Sequence, residues 1–276
     1  MIKWLEYQDF GYIGGAFVKH AIVGGGFTSE KEYKFLEKKY GKDKFLNGYG
    51  QTECSPLISF VYPDSPKDKR KDTVGKILDD IEFAIQDPIS KKILSSNETG
   101  EILIKGYNTC NGYYKIPNEK QPFDNDGYLH TGDLGYIDEE KYLILTGRLK
   151  DIIVRRGENI SPAEIEKAFE KYKEFTKVRV IGVPSLTDGE TIIACVESKI
   201  HMTHSKEQNY FNDLHSILPS LKIPEHIICI EEFPLMASGK LDERKIREIV
   251  LDKLSHTINP KIAIKAYKIQ KKLRNQ

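Results

Sequence analysis

The chain has 276 residues, 39% of them hydrophobic and 30% charged, which is enough for one large or two modest domains with their own cores. Its 42 Lys and Arg balance 41 Asp and Glu, so no global field recommends nucleic acid or anionic lipid as a partner. The longest apolar stretches, such as Ile22 to Phe27 and Lys177 to Pro184, fall far short of the ~20 residues of a spanning helix, so no transmembrane segment is expected. Asp9, Lys19 and several glycines stand where a signal peptide would place its apolar core, and the cytoplasm is the expected location.

The four cysteines, Cys54, Cys110, Cys195 and Cys229, stand singly, without a C-x-x-C pair or a histidine at ligand spacing. Buried free thiols are expected, not a zinc site or a disulfide framework.

In chain order, His20 to Val23 is a short apolar run ending in Gly24-Gly25-Gly26, and Ser29 is a plausible N-cap for the periodic stretch Glu30 to Tyr40. Gly41 closes that helix and Phe45-Leu46 follows, so the order strand, helix, strand predicts a parallel βαβ unit. From Pro63 to Lys71 the composition turns to Pro, Asp and Lys. Strand-like runs follow without intervening helices, at Ile81 to Ile85, Glu101 to Ile104 and Tyr142 to Leu145, which predicts an antiparallel β subdomain. Gly147-Arg148-Leu149-Lys150-Asp151 is a charged break.

A second unit opens at Ser161-Pro162-Ala163-Glu164, with Ser as N-cap, Pro in the first turn and Glu three residues on. It should run helix (Pro162 to Tyr172), strand (Val178 to Val183), strand (Thr191 to Glu197), helix (Lys206 to Leu218), strand (Glu225 to Ile230) and helix (Asp242 to Leu254). The fold class is therefore α/β followed by α+β. The expected divisions are 1–62 (α/β), 63–147 (mostly β), 148–256 (a compact α+β domain) and a basic tail, 257–276.

Three segments could carry chemistry. Asn47-Gly48-Tyr49-Gly50-Gln51-Thr52-Glu53 ends a strand with a hydroxyl beside a carboxylate, and its glycines let a ligand approach the backbone. It is neither a Rossmann fingerprint nor a Walker loop, and taken alone it reads as a tight turn. Thr131-Gly132-Asp133 places a carboxylate between apolar segments, where it could accept two hydrogen bonds from a vicinal diol or cap a turn of its own backbone. Ser238-Gly239-Lys240-Leu241-Asp242 puts a lysine on a small-residue loop before a helix capped by Asp242, either a mobile charge for a phosphate or a solvated surface group.

The order of these segments, from Gly24-Gly25-Gly26 through Tyr49-Gly50-Gln51-Thr52-Glu53, changes the weighing. With Gly100-Glu101-Ile102-Leu103-Ile104-Lys105-Gly106, Gly112-Tyr113-Tyr114, Asp126 to Leu134, Gly147 to Asp151, Gly157-Glu158-Asn159-Ile160-Ser161-Pro162-Ala163-Glu164-Ile165-Glu166 and Ser238 to Asp242, it resembles the adenylate-forming superfamily. That superfamily comprises acyl-CoA synthetases, luciferases and peptide-synthetase adenylation domains, and the resemblance covers about His20 to Glu248.

It implies the C-terminal part of a large AMP-binding domain, a partial βαβ sheet plus a β subdomain, followed by a complete small α+β lid domain. It implies ATP, Mg²⁺ and CoA as reactants and cofactor, with a carboxylic acid as substrate. Gly24, Gly25 and Gly26 would line the seam between acyl pocket and adenine, within a nucleotide-binding stretch of Asn47, Gly48, Tyr49 and Gly50. Tyr49 would stack on the adenine and Asn47 would bond its edge. Thr52 would touch the α-phosphate, Glu53 would hold Mg²⁺, and Asp133 with Arg148 would bind the ribose. Lys240 would serve adenylation, Lys150 would be the hinge, and Gly157 would face the site in the thiol-transfer half-reaction after a domain rotation.

The family's Pro-Lys-Gly phosphate loop lies upstream of Gly24 and has no counterpart here. A separate upstream half-protein is therefore one expected partner, and an uncovered edge at Ile22, Val23, Phe45 and Leu46 is expected. Glu158-Asn159-Ile160-Ser161-Pro162 and Leu221-Lys222-Ile223-Pro224 resemble fatty-acid and aryl CoA ligases more than peptide-synthetase domains. Transfer to a carrier protein, and a non-catalytic remnant or binding fragment, are the alternatives.

Overall fold

The computed structural model describes residues 19–25, 30–55, 57–185, 187–237 and 239–257. Gly26, Ser29, Ser238 and the tail beyond Thr257 lie outside them. β1 (Ala21–Val23), α1 (Glu30–Tyr40) and β2 (Phe45–Tyr49) form the expected βαβ unit, with Ala21 opposite Phe45 in a parallel pair. Gly41 ends α1 at φ +103°, its N–H bonded to the Glu37 carbonyl, a conformation in which glycine carries no Cβ penalty.

Phe45 and Leu46, expected as an uncovered edge, are only 5% and 2% exposed. Tyr33 and Leu36 of α1 pack on Phe45, and the Tyr33 hydroxyl donates to its carbonyl at 2.6 Å. What remains open on β1 is Ile22, 49% exposed.

β3 (Ser59–Phe60) and β4 (Lys76–Ile77) extend the sheet antiparallel in the order β1-β2-β3-β4. Between them lies α2 (Lys67–Asp72), six residues without a buried side chain, which the Lys- and Asp-rich composition did not signal. A second sheet is antiparallel throughout, in the order β5 (Ile81–Gln86), β6 (Gly100–Gly106), β7 (Leu129–Ile137), β8 (Leu143–Arg148). Ile58, Ile81, Ile85, Ile102, Ile104 and Leu143 share one core with Tyr49, so the end of β2 is packed against this sheet.

The chain divides after Leu149 into two compact units. In the second, β9 (Ile153–Arg155) and β10 (Glu158–Ile160) form a hairpin, and α3 (Pro162–Phe169) follows. A three-stranded sheet runs β11 (Lys177–Pro184), β12 (Glu190–Glu197), β13 (His226–Ile230), antiparallel and then parallel, with α4 (His204–Leu214) before β13 and α5 (Glu243–Thr257) after it.

β12 alternates strictly. Ile192, Ala194 and Val196 join the core containing Ile165 and Phe169 of α3 and Phe211 and Leu214 of α4. Ile193 and Cys195 join the core containing Ile246 and Val250 of α5. A period of two buries both faces of the sheet, each under helices.

Asp242 caps α5, its Oδ1 accepting the Lys245 N–H at 3.1 Å. Ser161 occupies the N-cap position of α3, yet its side chain makes no cap hydrogen bond, and Glu164 pairs with Lys222 at 2.7 Å instead of closing a capping box. Among the described residues no helix is long and apolar enough to cross a membrane.

Candidate functional site

β7 places Asp133 inside a strand, 6% exposed, and not on a turn. Its cross-strand partner in the β7–β8 register is Arg148, and Arg148 Nε donates to Asp133 Oδ1 at 2.9 Å. Opposite charges directly across a ladder hold each other's rotamers. The other carboxylate oxygen, Oδ2, accepts from the Tyr49 hydroxyl at 2.8 Å and from Gln51 Nε2 at 2.7 Å. Gln51 Nε2 also donates to the Thr131 carbonyl at 2.8 Å.

A carboxylate has about four lone-pair sites, two per oxygen. Oδ2 is filled by two donors, while Oδ1 retains room for another. One hydroxyl of a diol can add at Oδ1 as the structure stands, and a second must take the place of a present donor.

The backbone beneath Asp133 is braced from β6. The buried Glu101 carboxylate accepts the Gly132 N–H at 3.1 Å and lies 2.9 Å from His130 Nδ1. Thr131 Oγ1 donates to the Ile102 carbonyl at 2.7 Å. Both ladders of β7 slip register here, near Glu101/Leu103 and Leu134/Gly135, as a strand does where a bulge re-aims a side chain.

After β2 the chain makes a single 3₁₀ turn, Thr52–Cys54, closed by Ser55 in the left-handed region. Thr52 is exposed and Glu53 half-buried. Tyr113 donates its hydroxyl to Glu53 Oε1 at 2.6 Å, and the Cys110 N–H reaches the Glu53 carbonyl at 2.8 Å. That hydrogen bond, with burial, pushes the Tyr113 phenol up to about 12. Glu53 therefore offers one carboxylate that a tyrosine orients. A hard cation taking one or two protein carboxylates plus nucleotide oxygens and water fits it, whereas no group of three His, Cys, Asp or Glu among the described residues could cage a metal ion.

Two expectations meet other uses of the same atoms. Asn47 Nδ2 is directed at the carbonyls of Arg70 (3.1 Å), Lys71 and Thr73 at the end of α2, so that nitrogen ties down a helix terminus and is not presented to a base. The Tyr49 ring is 7% exposed within the core, so a stacking base would displace part of that packing. Burial and the neighbouring Asp133 charge raise its hydroxyl well above the ordinary phenol range, keeping it a neutral donor.

Of the glycines, Gly24 is dictated by contact, since a Cβ there would lie 2.6 Å from the Gly48 carbonyl oxygen, and one on Gly48 would lie 2.7 Å from Ile22. Gly25 (φ +86°) faces open space, and Gly50 precedes the 3₁₀ turn.

Unit one thus gathers Tyr49, Gln51, Asp133 and Arg148, with Glu53 and Tyr113 adjoining through the same β2 turn. Gln51 and Tyr113 have no chemistry-bearing spacing of their own, and position within their motifs is the signal that marks them. Lys150, Gly157 and Lys240 belong to the second unit. Lys150 sits exposed in the turn Leu149–Asp151, and Gly157 (φ +84°) with Arg156 (φ 51°) makes the two-residue β9–β10 turn. Lys240 is exposed on a closed loop, its carbonyl accepting the Met236 N–H at 2.8 Å.

A mixed α/β and β framework around an anchored carboxylate is followed by an α+β unit bearing an exposed loop lysine, a fold that matches part of the solved adenylate-forming enzymes. The model of the family "AMP-binding enzyme" matches residues 3–114. The chain is 31% identical over 252 residues to "Putative acyl-CoA synthetase YngI" of Bacillus subtilis, covering 91% of this chain and 46% of that protein. It is 30% identical over 246 residues to the mitochondrial medium-chain acyl-CoA ligase ACSF2 of Rattus norvegicus, covering 88% and 40%. The crystal structure of ATP-bound MatB from Rhodopseudomonas palustris superposes with a TM-score of 0.73 at 29% identity, covering 83% of this chain and 44% of that one. The chain belongs to the AMP-binding, adenylate-forming superfamily, and it spans less than half the length of each of these relatives.

Proposed function

We propose that the chain serves an acyl-CoA synthetase: ATP-dependent activation of a fatty acid to acyl-AMP, then transfer of the acyl group to the CoA thiol. The observation that carries the reading is Asp133, a buried carboxylate oriented by Tyr49, Gln51 and Arg148 with acceptor capacity left on Oδ1. Such a group suits a ribose hydroxyl.

In the first half-reaction a carboxylate oxygen attacks the α-phosphorus, the bond to the bridging oxygen breaks and pyrophosphate leaves. In the second, the thiol sulfur attacks the acyl carbon, AMP leaves and the thiol proton is lost to solvent. Asp133 and Arg148 orient the ribose, Thr52 touches the α-phosphate, and Gly24 and Gly25 border the seam toward the acyl chain. Glu53, held by Tyr113, would bind Mg²⁺, which supplies charge neutralisation on the phosphates. Tyr49 acts chiefly by fixing Asp133. Lys240 supplies a cation to the charge that develops as pyrophosphate departs, Lys150 is the hinge, and Gly157 serves thiol transfer.

The test is pyrophosphate release by a full-length version, in which the segment carrying the phosphate loop is joined ahead of this chain, with ATP, Mg²⁺, CoA and a panel of fatty and aryl acids. Acid-dependent release, lowered by about 10²-fold or more in Lys240→Ala while thioester formation from supplied acyl-AMP is spared, is the expected result. Release that ignores the acid, or equal loss of both steps, sinks the assignment.

A further inference from the structure

The loop that bears Lys240 and the segment that opens the second unit meet on one guanidinium. Arg179, on β11 and mostly buried, donates through Nη2 to Asp151 Oδ2 at 3.1 Å and to Glu243 Oε1 at 2.5 Å. Through Nη1 it donates to Glu166 Oε1 at 3.1 Å, an oxygen that also accepts the Val180 N–H at 2.8 Å. Asp151 ends the turn that contains Lys150, Glu166 belongs to α3, and Glu243 is the first residue of α5, just beyond Lys240 and Leu241.

The Lys240 loop is closed at its base. The Asp242 N–H reaches the Pro234 carbonyl at 2.8 Å, the Gly239 N–H reaches the Met236 carbonyl at 2.9 Å, and Leu235 bridges Leu241. A shift of the first turn of α5 is therefore a shift of the Lys240 backbone.

The charge count is unusual for a contact serving stability alone. Asp151, Glu166 and Glu243 converge on Arg179, although one carboxylate would neutralise it. Extra carboxylates in a half-buried cluster carry a desolvation cost. Burial raises the Glu166 carboxyl above its ordinary range, against the pull of Arg179. What the arrangement achieves is that three elements depend on a single cation.

We infer that Arg179 is a positioning residue coupling Asp151, where the second unit begins, to Glu243 and so to the loop that carries Lys240. The importance of that loop rests on the proposed function above, whereas the coupling itself does not. Through this contact the chain path at Lys150–Asp151 and the placement of Lys240 are set together.

The experiment is residue-resolved amide hydrogen exchange on the full chain, without substrate, for Asp151→Asn, Glu243→Gln, Arg179→Met, Arg179→Lys and the pair Asp151→Asn/Arg179→Met. Asp151→Asn is expected to speed exchange at Met236, Gly239 and Asp242 by about tenfold while the β11–β12 ladder at Ile181 and Ile193 is unmoved. Arg179→Met should do the same, Arg179→Lys should restore part of the protection, and Asp151→Asn should add nothing once Arg179 is gone. If Arg179→Met does not fold, sub-additivity between Asp151→Asn and Glu243→Gln at the loop amides carries the same information.

An Asp151→Asn variant with an unchanged loop would overturn the coupling, as would equal loosening of loop and ladder, which marks simple stabilisation. Because no substrate is present, a failure of Lys240 to act in adenylation is read separately in the pyrophosphate assay.

Discussion

Asp133 shows both the reach and the limit of reading single residues. Motif order marked it for a diol, while local composition left a turn aspartate equally open. The structure gives it a strand position, a cross-strand arginine and two further donors. Those donors come from residues more than 80 positions earlier, a distance over which local patterns carry no information. Asn47 is the converse case, its amide turned to the end of a helix that composition did not announce.

The same scale yields a prediction on pH. Burial would raise the Glu197 carboxyl, but the Phe233 N–H, the Thr176 hydroxyl and Lys177 hold it below the ordinary glutamate range. A depressed acid contributes stability that is present above the unfolded value and lost as pH falls through the folded one. Glu197→Gln should therefore lower the unfolding free energy measured in urea at pH 7, by less than ~1 kcal/mol after screening, and the gap to wild type should close as the pH falls through the depressed folded value. A gap that persists unchanged at low pH would show that packing, not charge, is what the substitution removes.

At the scale of elements, periodicity located α1, α3, α4, α5 and the strands β5, β6, β8, β11, β12 and β13 within a few residues, because each has a regular buried face. It missed what depends on backbone conformation. The β9–β10 hairpin turns through Arg156 and Gly157, both at positive φ, without the Asn-Gly or Asp-Gly pair that usually signals such a turn. β7 escapes a reading by periodicity because Thr131-Gly132-Asp133 interrupts its apolar alternation, and the interruption carries the proposed ribose ligand.

Gly75 belongs to this scale as well. At φ +85°, with a Cβ that would lie 1.9 Å from the Phe60 carbonyl carbon and oxygen, it is where β4 meets β3. The Gly75 carbonyl also accepts the Leu143 N–H, joining the first sheet to the strand that begins β8. Backbone cannot yield as a side-chain tip can, so Gly75→Ala should cost more than ~2 kcal/mol in chemical denaturation. A neutral outcome would mean that β3 and β4 can separate without loss.

At the scale of the whole molecule, the break that the sequence marks as Gly147 to Asp151 lies where the chain divides after Leu149. The second unit has the features of an independent folding unit. Its sheet is buried on both faces by its own helices, with Ile165, Phe169 and Phe211 on one side and Ile246 and Val250 on the other. Its largest polar cluster, around Arg179, is closed among its own residues. Among the described residues, neither core includes one numbered below 150. A fragment of residues 150–276 should therefore unfold cooperatively, with one transition shared by near-ultraviolet and far-ultraviolet circular dichroism. It should also keep the slow exchange of the β11–β12 ladder seen in the full chain. A fragment with helical signal but no near-ultraviolet transition would mean that the two buried faces are not enough to fix its packing, and that residues before Lys150 complete it.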